Sequence, residues 1–189
     1  MKNILLLFFF FAYISAAAQS SIHPEMDQVD EVTCNVIIEN YIRFVNAYSR
    51  LDAKQISETF HNKGTEFYIG FPDQVPVIHY GKAAIFIHMN KDFVAAHSRS
   101  HKLKINFRLV ERKTDGEKVY DVGFYQINKF TGKDTFTYYG KFAVVLVEDK
   151  DHQWKFLTEV NCPASGEEYE KVNYIKEIND EFISLSKHN

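Results

Sequence analysis

Cysteine is scarce: Cys34 and Cys162 are the only two in the chain. Two cysteines allow one intramolecular bridge at most, so a disulfide-dense scaffold is excluded. No Cys-x-x-Cys pair is present, which removes the dithiol redox motif. Glycine and proline are also few, at 8 and 4, and no internal repeat or low-complexity segment accompanies them, so collagen-like and linker proteins are excluded. There is no Gly-x-Ser-x-Gly elbow and no glycine-rich phosphate loop. The formal net charge is only −3, and no basic stretch stands out. That argues against nucleic acid or an anionic membrane as the main partner. After the first 18 residues no apolar run approaches the roughly 20 residues that a membrane-crossing helix needs.

The N-terminus itself is apolar. Lys2 precedes an apolar run from Ile4 to Ala12, and Ser15, Ala16, Ala17 and Ala18 follow. A basic start, apolar middle and small-residue end describe a secretory signal peptide over residues 1–18, cut between Ala18 and Gln19. The alternative is an uncleaved N-terminal anchor. No cysteine follows the cut directly, so a lipoprotein is not expected. The reading places the protein outside the cytoplasm, periplasmic or secreted, with no membrane contact after cleavage. Export makes a Cys34–Cys162 disulfide chemically possible; two buried free thiols are the alternative.

Residues 19–32 are polar and acidic, without apolar period, and read as a flexible leader. Val36, Ile37, Tyr41, Phe44, Val45 and Tyr48 then line one face of a helix, with Thr33 or Asn35 as its cap. Asp52 caps a short second helix ending near Phe60. A strand is expected over Thr65–Ile69, a turn at Gly70-Phe71-Pro72-Asp73, and a further strand through Val75, Val77 and His79. A third helix follows from Lys82 to Ala96, with Ile85, Phe86, Met89, Phe93 and Ala96 as its buried stripe.

The period then changes to two, in Leu103, Ile105, Phe107 and Leu109. Turns at Asp115-Gly116 and Thr131-Gly132-Lys133-Asp134 separate long strands at Val119–Phe130 and Thr135–Val147, and a last strand runs Gln153–Cys162. Gly123 inside a strand predicts a bulge or a close backbone approach. Tyr169, Val172, Ile175, Ile178, Phe182 and Leu185 predict a C-terminal helix over 167–186. Helices segregated from antiparallel strands make the fold class α+β. A strongly curved antiparallel sheet of four to six strands would wrap the N-terminal helices as a cone, a shape able to hold a pocket. An aromatic content of 15% suits such an aromatic-lined interior.

The segment Tyr41-Ile42-Arg43-Phe44-Val45-Asn46-Ala47-Tyr48, with Leu51-Asp52-Ala53 and Ile56 behind it, resembles the first helices of the nuclear-transport-factor-2-like superfamily, in its SnoaL-like and ketosteroid-isomerase-like branches. Tyr80-Gly81-Lys82-Ala83-Ala84-Ile85 resembles that family's third helix. Tyr139-Gly140-Lys141-Phe142 and Gln153-Trp154-Lys155-Phe156 resemble its last two strands. The resemblance spans 33–163 and leaves 164–189 as a helical extension. It implies a cone pocket, and a homodimer formed through the open sheet face. It puts Tyr41 on the family's catalytic tyrosine, but the base position falls on Phe67 or Tyr68, with Glu66 nearby, and the oxyanion aspartate falls near Ala143. Steroid isomerase chemistry is therefore not matched.

The candidate pocket comprises Tyr41, Val45, Tyr68, His88, Phe107, Tyr125, Tyr139, Glu159 and Asn161. Glu159 and Asn161 share one face of the last strand; if that face looks inward, Glu159 is a desolvated carboxylate able to act as base. If it looks outward, Glu159 is a solvated charge or a dimer contact. His79, His88, His97 and His101 give no convincing metal spacing, so neither metal nor cofactor is expected. Three readings follow: a domain that binds a small apolar or aromatic molecule without turning it over; an enzyme of cyclase, isomerase or hydrolase type using Tyr41 with His88 or Glu159; and a module that docks a protein partner on its sheet.

Overall fold

The computed structural model describes residues 26–70 and 74–180. The expected signal peptide at 1–18, the expected leader up to 25, residues 71–73 of the expected turn and residues beyond 180 lie outside the described residues. Among the described residues no helix is long and apolar enough to cross a membrane.

Helix α1 spans Glu31–Ser49. Its cap is Asp30, not Thr33 or Asn35: the Asp30 carboxylate accepts from the Thr33 amide at 2.9 Å, satisfying one of the free first-turn donors. Asp27 pairs with Thr114 through two backbone bonds of 3.0 and 3.1 Å. Residues 26–32 therefore belong to the domain rather than to a flexible leader. Helix α2, Ala53–Glu58, starts at the expected Asp52 cap, which accepts from the Gln55 amide at 2.9 Å. Strand β1 follows at once, Phe60–Tyr68, so Phe60 opens a strand instead of closing the helix. Strand β2 is Val77–Tyr80 and helix α3 is Lys82–Ser98, buried along Ile85, Met89, Phe93 and Ala96. Phe86 is partly exposed, not in the buried stripe.

Strands β3 (Lys102–Thr114), β4 (Lys118–Phe130), β5 (Thr135–Glu148) and β6 (Trp154–Pro163) form the expected meander. Gly116 and Gly132 turn it with φ of 92° and 84°, a region that favours glycine. The full sheet has seven strands in the order β2-β1-β6-β5-β4-β3-β7, one more than the upper expectation. The pairing of β1 with β6 is parallel; the others are antiparallel.

Of the C-terminal helix expected over 167–186, the described residues are helical only to Lys171, and a seventh strand follows. Helix α4 is only Gly166–Lys171, closed at Val172, and β7 is Lys176–Ile178. The apolar spacing of Tyr169, Val172, Ile175 and Ile178 is helical, yet the unpaired edge of β3 prevails: Phe107, Arg108 and Leu109 take Ile178, Glu177 and Lys176 as ladder partners. Arg108 holds the reversal, stacking 4.1 Å from the Tyr169 ring and 5.0 Å from the Tyr174 ring. It also donates to the Tyr169 carbonyl at 2.7 Å.

Helix α1 lies on the concave sheet face, where Tyr41 meets Phe107 and Phe156 edge-on at 5.4 and 5.0 Å. Phe44 meets Phe107 at 5.7 Å, and Phe107 meets Phe142 at 5.4 Å. Each such aromatic pair adds about 0.5–1.5 kcal/mol beyond its burial. Two bulges change which residues face this core. One follows Leu109 on β3; the other lies between Phe156 and Thr158 on β6. A bulge inserts one residue and so shifts the in-out alternation beyond it.

Candidate functional site

The two bulges assemble one transverse row on the concave face. Register partners step from His79 on β2 to Glu66 on β1, Glu159 on β6, Val144 on β5, Asp121 on β4 and Arg112 on β3. Without the β3 bulge, Glu111 rather than Arg112 would point inward. Without the β6 bulge, Glu159 could not share a face with Phe156. Its charged members Glu66, Glu159, Asp121 and Arg112 are all at most 7% exposed, and His79 is half-buried. Buried charge is costly unless paired, and the row answers that cost differently at its two ends.

At the β3–β4 end the pairing is complete. Arg112 donates to both Asp121 oxygens at 2.7 Å and to the Cys34 carbonyl at 3.2 Å. The Tyr41 hydroxyl donates to Asp121 Oδ2 at 2.9 Å. Burial opposes the Arg112 charge, but the Asp121 bonds and charge more than offset it, and its pKa is raised. Burial, then the Asp121 charge, pushes the Tyr41 hydroxyl well above its usual range. Tyr41 is thus a committed donor inside the core, not a group facing a ligand.

At the β1–β2–β6 end pairing is incomplete. Glu66 Oε2, Glu159 Oε2 and His79 Nε2 are buried with no hydrogen-bond partner among the described residues. Burial raises the Glu66 carboxyl, and the charges of Glu159 and Asp92 add to it. Burial raises Glu159 as well, while a hydrogen bond from Asn161 acts the other way. Two carboxyls side by side in a dry setting cannot both ionise easily, so the pair favours holding a proton. His88, on α3, stacks on His79 with ring centroids 4.1 Å apart and 14° between planes. Burial, and then the neighbouring His88, lowers the His79 pKa. One ligand atom each of Glu66, His79 and His88 lies within 4.8 Å of the others. A carboxylate with two imidazoles is metal-ligand chemistry, which the sequence pattern did not predict.

Several pocket candidates are brought together here. Glu159 and Asn161 face inward from β6, and Tyr68, opposite Asn161 on β1, is 40% exposed at the end of that row. The Tyr125 ring packs on Gly140, where a Cβ would stand 2.1 Å from it. Burial raises the Tyr125 pKa, and the nearby Tyr68 and Glu159 charges add to that. Val45 and Phe107 are packed core instead, surrounded by aromatic rings. Tyr139 is a correction: it lies on the convex face, covered by Tyr169 with centroids 5.2 Å apart. Both cysteines are free. Cys34 sits on α1 over the concave face, its thiol 3.6 Å from the Val29 carbonyl, whereas Cys162 faces the convex side beside Lys141. Opposite sides of one sheet preclude the bridge.

Glu66, His79, Asp121 and Arg112 carry most of the site's chemistry, yet none of them is among the residues that the sequence offers as pocket candidates. His79 sits opposite Glu66 in a hairpin, a proximity that the alternation of β2 hints at. Arg112 and Asp121 depend on a bulge with no sequence mark except Gly123 opposite it. A separate polar cleft of about 350 Å³ lies outside the cone, lined by Arg43, Glu58, Gln153 and Lys155 among others. Its groups largely satisfy one another: Arg43 donates to Gln153 at 3.0 Å and Lys155 to the Glu58 carbonyl at 2.7 Å.

Solved structures share this arrangement of helices and curved sheet. Aln2 from a Streptomyces species superposes with a TM-score of 0.59 at 12% identity, over 72% of this chain and 94% of its own. A ketosteroid isomerase-like protein from Erwinia carotovora atroseptica gives 0.53 at 12%, over 72% and 99%. A protein from Catenulispora acidiphila, solved in complex with S-DNPA, gives 0.58 at 14%, over 71% and 95%. The chain has the nuclear-transport-factor-2-like cone fold. No family model matches the sequence, and no curated protein matches it. A shared cone at this identity speaks to architecture, and the chemistry must come from this chain's own residues.

Proposed function

We propose that this NTF2-like domain binds a small apolar or aromatic molecule bearing a hydrogen-bond donor, with the donor seated on Glu66 and Glu159. The observation that carries the reading is the pair of bare carboxyl oxygens at the concave ends of β1 and β6. A buried acceptor left unsatisfied costs about 1–3 kcal/mol, which a ligand hydroxyl or amine returns. Tyr68 and Tyr125 supply aromatic walls beside the acids. The relative solved with S-DNPA supports a small molecule in a cone of this shape by analogy of fold. Screening a set of phenols and aromatic amines by NMR tests the reading. Binders are expected to perturb Glu66, Glu159, Tyr68 and Tyr125, and Glu159→Leu to weaken them at least ~10-fold, one lost charge-assisted bond. Binding confined to the polar cleft around Lys155, or unaffected by Glu159→Leu, overturns it.

The adjacency of two proton-holding carboxyls favours a second reading, in which the same site moves a proton on its ligand. In that enzyme Glu159 or Glu66 is the base, and Tyr41 plays no part because its hydroxyl is bound to Asp121. Glu159→Gln would then abolish turnover while retaining ligand affinity.

We also propose export by the N-terminal segment, on the strength of its three-part composition. N-terminal sequencing of the protein recovered outside the cytoplasm should begin at Gln19; an intact Met1 there contradicts cleavage.

A further inference from the structure

The half of the cone floor that lacks internal partners has an unusual composition. His79 stands opposite Glu66 across the β1–β2 hairpin, and α3 lays His88 over His79. Glu66 Oε2 and His79 Nε2 are both buried and without a partner among the described residues. Glu66 is only 6% exposed, and among the described residues no Lys or Arg forms an ion pair with it. Asp92 and Glu159 add further negative potential around it. Buried carboxylates survive when paired or bound to a metal, and Arg112 illustrates the first solution at the other end of the same row. The second solution fits this end.

We propose that Glu66, His79 and His88 bind one divalent transition-metal ion, with zinc the best match. Their ligand atoms already lie within 4.8 Å of one another, and turning one imidazole out of the near-parallel His79–His88 stack would aim both rings at one ion. Two imidazoles and one carboxylate suit zinc and its first-row neighbours, whereas calcium and magnesium prefer oxygen alone. Three protein ligands are the number that leaves a zinc position open for water or a ligand atom. Glu159, the register partner of Glu66, is the further carboxylate beside that position. The inference uses the site described above but does not rest on an organic ligand.

The test is a zinc titration of the full, tag-free chain after EDTA treatment and dialysis, by calorimetry, with cobalt(II) absorption as a second readout. The expected result is one zinc per chain and visible cobalt ligand-field bands. His79→Ala and His88→Gln should each weaken zinc at least ~10-fold, while His97→Ala leaves it unchanged. Circular dichroism establishes that each variant folds; if His79→Ala does not, His88→Gln, on the half-buried face of α3, decides alone. No zinc uptake by the parent chain overturns the proposal, as does uptake unchanged in His88→Gln. Phenol and amine binding is measured separately in EDTA, so a failed metal site and a failed ligand site give different results.

Discussion

The Tyr41 hydroxyl and the Arg112 guanidinium converge on one carboxylate, Asp121, which is fully buried. Removing a partner from such a group differs in cost by partner. Tyr41→Phe leaves Asp121 with its bidentate Arg112 contact and should destabilise by about 1–2 kcal/mol. Asp121→Asn leaves Arg112 charged and buried and should cost about 3–5 kcal/mol. Urea unfolding measures both. Tyr41→Phe should also leave binding of phenols and amines unchanged, which separates a structural tyrosine from a site tyrosine. At this scale the sequence is a mixed guide. Tyr41, Tyr125 and His88 are legible as inward candidates because helix and strand periods mark them, whereas the period leaves the face of Glu159 open. Glu66 is obscured because it sits in a short stretch with only one apolar neighbour on its face, and Tyr139 misleads because both faces of β5 carry apolar side chains, so alternation alone does not say which is buried.

At the scale of elements, the bulges and β7 decide the outcome. Gly123 faces the β3 bulge, and a Cβ there would lie 2.2 Å from the Arg108 carbonyl and 2.8 Å from the Phe142 ring. Gly123→Ala should therefore destabilise by about 1–3 kcal/mol through overpacking. Gly123 predicts a bulge or a close approach from sequence alone, and both occur. The β6 bulge has no such glycine, so the joint inward placement of Phe156 and Glu159 is unreadable from alternation. Ile178 is fully buried where β7 covers the β3 edge. Ile178→Ala should cost about 2–5 kcal/mol, read by thermal or urea unfolding, and a helix-only tail predicts a much smaller loss. The helical spacing in that segment reflects alternate roles, with Tyr169 covering the convex face and Ile178 closing an edge, rather than one continuous stripe.

For the whole molecule, the cone is legible because long periodic elements announce themselves and their order permits few topologies. The site is less so, because it is a row across six strands whose members are far apart in sequence. That row gives the chain a characteristic pH response. Carboxyls whose pKa is raised on folding bind protons more tightly in the folded state. Their contribution is fully present below the ordinary carboxylate value of about 4.3 and is lost as pH rises through the raised folded value. His79, lowered on folding, acts in the opposite sense below about 6.5. In EDTA, stability should therefore fall as pH rises from about 4.3 towards the raised values of about 7 for Glu159 and about 8 for Glu66. The fall should be steepest above about 6.5, where His79 no longer offsets it, and Glu66→Gln should flatten it.

The most direct measurement is a carbon-detected NMR titration of the Glu66 and Glu159 carboxyls in the EDTA-treated chain. Both should titrate well above about 4.3, and Glu159→Gln should lower the Glu66 value by removing the charge beside it. Ordinary values for both, or a Glu66 value indifferent to Glu159→Gln, would contradict a buried acid pair at the floor of the cone.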